Sequence, residues 1–233
     1  MSERIHSDCS MVFKLLEKWR NKRSASDSEK DPTVSAIAED YRSRPKTNAP
    51  WAVLVSTILS LRTKDEVTRI ASEALLQKAP GPNELILLGE EETARLAYPA
   101  GFYRTKARHL QEIAGILLEK YHGQVPANME ALLSLPGVGR KTANLVLTEA
   151  FDMDGICVDI HVHRICNRLG WVKTKDPLAT EMALREELPR KYWKRINKLL
   201  VLYGQNACRP VSPFCSNCAI SEYCIRDGVQ RSR

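Results

Sequence analysis

The sequence contains no apolar run long enough to cross a bilayer; its longest apolar stretches are short and interrupted, so no membrane association is expected. The opening residues, MSERIHSDCS, carry charges where an export signal needs an unbroken apolar stretch, so a cytoplasmic protein is expected. Thiols stay reduced in that compartment, and the seven cysteines are therefore not expected to build a disulfide framework. Alternating runs of β-branched residues are scarce, which argues against a sheet. There is no internal repeat. The only low-complexity tract is a polar, Ser-rich stretch over 24–31, expected to be a flexible link.

What is present is a chain of 233 residues, 43% apolar and 27% charged, able to bury a sizeable core as one large domain or two small lobes. Gly and Pro divide it into helical lengths, and the expected fold class is all-α. Residues 1–30 read as a peripheral extension with a short amphipathic helix over 11–22, and a second short helix fits 33–42. Beyond Pro50, WAVLVSTILSL is apolar nearly all round, which predicts a helix enclosed by others. Ala107, Leu110, Ala114, Leu117, Leu118 and Tyr121 recur at three- and four-residue steps and predict one buried face over 104–121. Similar stripes at Ala143, Val146, Leu147 and Ala150, at Val158, Val162, Ile165 and Leu169, and at Ile196, Leu199, Leu200 and Tyr203 predict three more helices. Lys and Arg outnumber Asp and Glu by 35 to 28, a basic balance that suits a polyanionic partner without identifying one.

Three local patterns carry chemistry. In LPGVGRKTAN, Gly137 and Gly139 flank one apolar residue in a very short connection between helices. Glycines there let the backbone approach a ligand, and the N–H groups opening the next helix suit a phosphate, with Arg140 and Lys141 adding charge. A plain helix–helix turn is the alternative. Lys141 lies off the apolar stripe of its helix and so faces either water or a cleft. An ordinary surface lysine is one reading; the other is a nucleophilic amine, favoured by loss of hydration or by a cationic neighbour such as Arg140.

The second pattern is VDIHVHRICNRLGW, with Asp159 where the next helix starts. An N-cap is its simplest role. A carboxylate there could also stabilise a developing sugar cation or handle a proton. His161 and His163, two residues apart, point to different sides of a helix and do not suggest a shared metal; phosphate contact is the functional alternative to packing. The third pattern is Cys208, Cys215, Cys218 and Cys224, spaced C-x6-C-x2-C-x5-C in a segment holding Pro210 and Pro213. Four such thiolates suit one tetrahedral zinc or one 4Fe–4S cluster, and spacing alone leaves both open. Cys9, Cys157 and Cys166 are isolated and read as ordinary thiols.

Over about residues 31–225 these motifs resemble the endonuclease III family, within the helix-hairpin-helix glycosylases. The resemblance implies a two-lobed fold. A six-helix barrel lobe over about 43–153 would contain the hairpin (about 129–151), and an iron–sulfur cluster lobe would comprise 31–42 and 154–233, with metal loop 208–224. DNA would lie across the cleft between them. It further implies base-excision repair by a DNA glycosylase and abasic-site lyase that removes oxidised pyrimidines: Lys141 would form a Schiff base with the opened sugar, Asp159 would assist base departure, and β-elimination would cut the strand. The implied cofactor is a 4Fe–4S cluster on the four cysteines. The implied partner is double-stranded DNA with a damaged base or abasic site, bound by a monomer, nucleoid-associated if the source is prokaryotic.

DNA contacts are implied for Arg62, Phe102, Tyr103, Gly137, Gly139, Arg140 and His161. Arg62 stands where the family often has the glutamine that fills the gap left by a flipped base, and Phe102 where a leucine wedge is common. Arg104 replaces an asparagine, and the loop between Cys208 and Cys215 holds Arg209 as its single basic residue. The nearest competing reading is a monofunctional mismatch or adenine glycosylase; those enzymes generally lack a lysine at this hairpin. The other is a non-catalytic module in which hairpin and cluster only hold DNA.

Overall fold

The computed structural model describes residues 2–26, 32–44 and 48–233. It is helical throughout, with no strand among the described residues: α1 (Ser2–Ser26), α2 (Thr33–Ser43), α3 (Ala49–Ser60), α4 (Asp65–Lys78), α5 (Pro82–Ala97), α6 (Tyr103–Tyr121), α7 (Met129–Leu133), α8 (Arg140–Phe151), α9 (Ile160–Leu169), α10 (Pro177–Glu187) and α11 (Trp193–Asn206). No described helix is long and apolar enough to cross a membrane. The chain forms two compact units, one over Pro32–Met153 and the other uniting the N-terminal segment with residues 154–233.

The Pro32–Met153 unit is built round α3. Asn48 caps it, its side chain accepting from the Trp51 N–H at 3.1 Å, and every residue from 51 to 59 is buried, as the all-round apolar sequence predicts. α4, α6 and α8 pack on it, with α5 on α4 and α6. One face of α6 buries Ala107, Leu110, Ala114 and Leu117, as its periodicity predicts, while Leu118 and Tyr121 of the same predicted stripe are only partly buried.

α2 also packs here, on α3, α4 and α8. Thr33 Oγ1 donates to the Asp65 carbonyl at 2.9 Å and Ser35 Oγ to Glu149 at 2.9 Å. The expectation that residues 31–42 belong with the metal loop is therefore corrected: these hydrogen bonds and the burial of Val34, Ile37 and Ala38 tie the helix to the other unit.

The second unit holds α1, α9, α10 and α11. Its core includes Ile5, Cys9, Val12, Phe13 and Leu16 of α1 beside Val162, Ile165 and Leu169 of α9. Phe13 stacks on Tyr192 with ring centroids 4.2 Å apart, and Trp19 meets Tyr203 edge-on at 4.7 Å. This overturns the reading of residues 1–30 as peripheral. The apolar stripe starts at Ile5, inside a polar-looking stretch, whereas Met11, where the short helix was expected to begin, is exposed. The expected link over 24–31 falls beyond Ser26 outside the described residues.

Candidate functional site

The hairpin is formed by α7, a tight connection and α8. Gly137 adopts φ +71°, and a Cβ there would stand 2.5 Å from Nδ1 of His109 on α6, so both conformation and space require glycine. Gly139 precedes α8 in an extended conformation, and a Cβ there would meet no atom of the protein within 4 Å. Val138 between them is buried and anchors the turn. Arg140 and Lys141 open α8, Lys141 exposed and Arg140 partly so, while residues 142–148 behind them are buried. The helix thus carries a fixed inner face and presents Lys141 outward.

In the same unit, Arg62 and Phe102 come together although forty positions apart in sequence. Both adopt left-handed backbone, with φ of 53° and 57°. Both side chains are exposed, and the Arg62 guanidinium lies 5.7 Å from the centre of the Phe102 ring. Tyr103, partly buried, packs edge-on against Tyr98.

Beneath this pair lies Lys106, a residue the sequence reading missed. It is 5% exposed, and its ammonium donates to the Leu59 carbonyl at 2.7 Å, the Leu61 carbonyl at 2.6 Å and Thr63 Oγ1 at 2.8 Å. Burial pushes its pKa down to about 8. The available signal was its position next to Ala107 and four residues before Leu110, on the face that periodicity assigns to the core.

In the other unit, Asp159 caps α9. Its Oδ1 accepts from the backbone N–H of His161 at 2.8 Å and of Val162 at 3.0 Å. His161 packs over α11 so closely that a Cβ at Gly204 would lie 2.4 Å from its Nδ1, and that nitrogen is 3.0 Å from Nη2 of Arg164. His163 turns away to Thr180 Oγ1 at 2.7 Å. The two histidines do not converge.

Cys208, Cys215, Cys218 and Cys224 line one cavity, walled by apolar side chains such as Ile165, Leu169, Phe214 and Ile220. Among the described residues no three His, Cys, Asp or Glu side chains converge to hold a single ion; the four cysteines share the walls of the one cavity instead. Three groups bind this loop to the helices. Arg168, 6% exposed, donates to Cys208 Sγ at 3.2 Å and to the carbonyls of Arg209 and Pro210 at 2.7 and 2.8 Å. Arg164 donates to the Cys208 carbonyl at 2.8 Å. The Tyr203 hydroxyl lies 3.1 Å from Cys218 Sγ and accepts from the Ala219 N–H at 3.0 Å. Sequence reading missed both arginines, since nothing local marks an arginine on α9 as the partner of a loop forty residues on.

Burial pushes the Cys224 thiol up to about 11. Cys9, Cys157 and Cys166 are buried and away from this cavity.

Residues 55–190 match the HhH-GPD superfamily of base excision DNA repair proteins, which defines the class. Endonuclease III of Thermotoga maritima is 46% identical over 188 residues, 81% of this chain and 88% of that protein. The chloroplastic endonuclease III homolog 1 of Arabidopsis thaliana is 43% identical over 219 residues, 90% of this chain and 57% of that longer protein. The solved structure of a trapped endonuclease III–DNA covalent intermediate, an estranged-adenine complex, superposes with a TM-score of 0.72 at 30% identity, covering 83% of this chain and 93% of that one. The chain therefore belongs to the endonuclease III family within that superfamily.

Proposed function

We propose that this protein is a bifunctional DNA glycosylase and abasic-site lyase of base-excision repair that removes oxidised pyrimidines, with Lys141 as nucleophile. The observation that carries the reading is Lys141 itself: an exposed amine at the first turn of a helix whose other face is locked in the core, in a chain similar to a protein trapped covalently on DNA. The Lys141 amine attacks C1′ of the flipped nucleotide, the C1′–N bond breaks, and the base leaves with the bonding electron pair and a proton. The sugar ring opens to a Schiff base on Nζ. Loss of a C2′ proton then expels the 3′ phosphate, and water releases the sugar from the lysine. Asp159 supplies a negative charge for the sugar cation as the base departs. Gly137, Gly139 and Arg140 grip the phosphate backbone; the open space at Gly139, where the protein itself would tolerate a Cβ, is left for an approaching strand. Arg62, Phe102 and Tyr103 enter the duplex at the lesion, and His161 flanks the phosphates.

The four cysteines would hold a 4Fe–4S cluster, for which four thiolates lining one apolar cavity are suited. When bound, the cluster supplies rigidity to the 208–224 loop, or a charge-transfer relay, and takes no part in the sugar chemistry. The protein acts as a monomer on damaged double-stranded DNA in the cytoplasm, at the nucleoid if the source is prokaryotic.

The function is tested by incubating the purified protein with duplexes holding one of a panel of damaged bases, in the presence of borohydride. A covalent adduct is expected on oxidised pyrimidines and on abasic sites. Base release without any adduct would point to the monofunctional alternative, and binding without either product to a non-catalytic module. The metal is tested separately: the protein should be brown, with about four irons per chain. Removing the iron should lower thermal stability, because the loop's ligands would be left without their shared centre. A colourless, zinc-loaded protein would overturn the cluster.

A further inference from the structure

Two exposed side chains held together by strained backbone ask what holds them there. Arg62 and Phe102 are both non-glycine residues at positive φ, a conformation that persists only where surrounding structure enforces it. The enforcement is a hydrogen-bonded knot. All three ammonium protons of Lys106 are used, on Leu59, Leu61 and Thr63, so one buried group holds the chain on both sides of Arg62. The same lysine is bonded to the Phe102 turn, its backbone N–H donating to the Phe102 carbonyl at 3.0 Å. Thr63 Oγ1 closes the knot by accepting from the Gly101 N–H at 3.1 Å. Gly101 approaches so closely that a Cβ would lie 2.7 Å from the Arg62 carbonyl.

No carboxylate pairs with Lys106 among the described residues. A buried cation without a counter-ion is costly, and three neutral acceptors on the Arg62 turn are what offsets that cost here.

We propose that Lys106 is a positioning residue that couples the Arg62 turn to the Phe102 turn, so that the two side chains enter a lesion-containing duplex as one preorganised unit. Lys106 touches no DNA. Its three short bonds tie the Arg62 turn to the first turn of α6, which follows directly on Phe102, and Thr63 joins that turn to Gly101, so the ordering cost is met in folding and not at the encounter. This inference rests on the reading that Arg62 and Phe102 enter the duplex.

The test uses the full chain, with duplexes containing a tetrahydrofuran abasic analogue and the same duplexes undamaged. Lys106→Met should weaken binding to the analogue about tenfold while changing undamaged binding by less than about twofold. Arg62→Ala should produce a similar loss, and the double variant should be no worse than either single one, the signature of two residues acting through one structure. A 2-aminopurine placed opposite the analogue should lose most of its protein-induced fluorescence change in Lys106→Met. A merely structural lysine would lower binding to both duplexes alike. The proposal is overturned if Lys106→Met binds the analogue as the wild type does, if both duplexes weaken equally, or if the two single losses multiply. Should Lys106→Met fail to fold, Thr63→Val removes the acceptor shared by Lys106 and Gly101 and must give the same selective loss. A wild-type protein with no preference for the analogue sinks the underlying functional reading; a preference that these variants leave intact sinks this inference alone.

Discussion

Lys141→Ala is expected to abolish the borohydride-trapped adduct and to lower strand cleavage at abasic sites by on the order of 10³-fold or more, since loss of a covalent nucleophile leaves only binding and electrostatic assistance. The fold should barely notice. Lys141 is exposed, the buried residues of α8 begin at Thr142, and alanine is the strongest helix former, so the change in stability should stay within about 0.5 kcal/mol. Binding to undamaged DNA should weaken only by the loss of one basic side chain and should keep its dependence on salt. These three readouts separate chemistry from structure: trapping, thermal midpoint and salt-dependent affinity. An adduct that survived the substitution would place the nucleophile elsewhere in the chain.

The second large effect is expected at Asp159, where an observed helix cap and the proposed catalytic charge would share one carboxylate. Its Oδ1 accepts the N–H groups of His161 and Val162, and removing such a cap destabilises a protein by about 1 kcal/mol. Asparagine keeps a side-chain oxygen at that place and caps equally well, while losing the charge. Asp159→Asn should therefore melt close to wild type yet release bases about 10²-fold more slowly, the scale of losing one electrostatic stabiliser from a transition state. Asp159→Ala should show the same kinetic loss with the lowered melting temperature added. If the asparagine variant kept full activity, the carboxylate would be a cap alone. If the alanine variant melted as wild type does, the cap would contribute nothing.

These predictions concern residues that local sequence patterns mark out. A hairpin with two glycines, an aspartate at a helix start and four cysteines within seventeen positions each constrain their own neighbourhood, because backbone conformation, helix capping and metal ligation act over a few residues. The helical periodicities of α6, α8, α9 and α11 are legible for the same reason: a repeat near 3.6 residues is a property of the segment itself.

What the sequence by itself determined was thus the all-helical class and the family resemblance, and it marked Lys141 and the four clustered cysteines as the candidates for nucleophile and ligand set. Only the tertiary structure decided the rest. Ile5, Cys9 and Phe13 belong to a core because α9, α10 and α11 supply its other walls. α2 joins the Pro32–Met153 unit through bonds to Asp65 and Glu149. Arg168 reaches Cys208 across 40 positions, and Lys106 reaches Leu59 across 47. A buried cation becomes tolerable only where distant carbonyls are folded round it, and no pattern within either segment records that the other will be there.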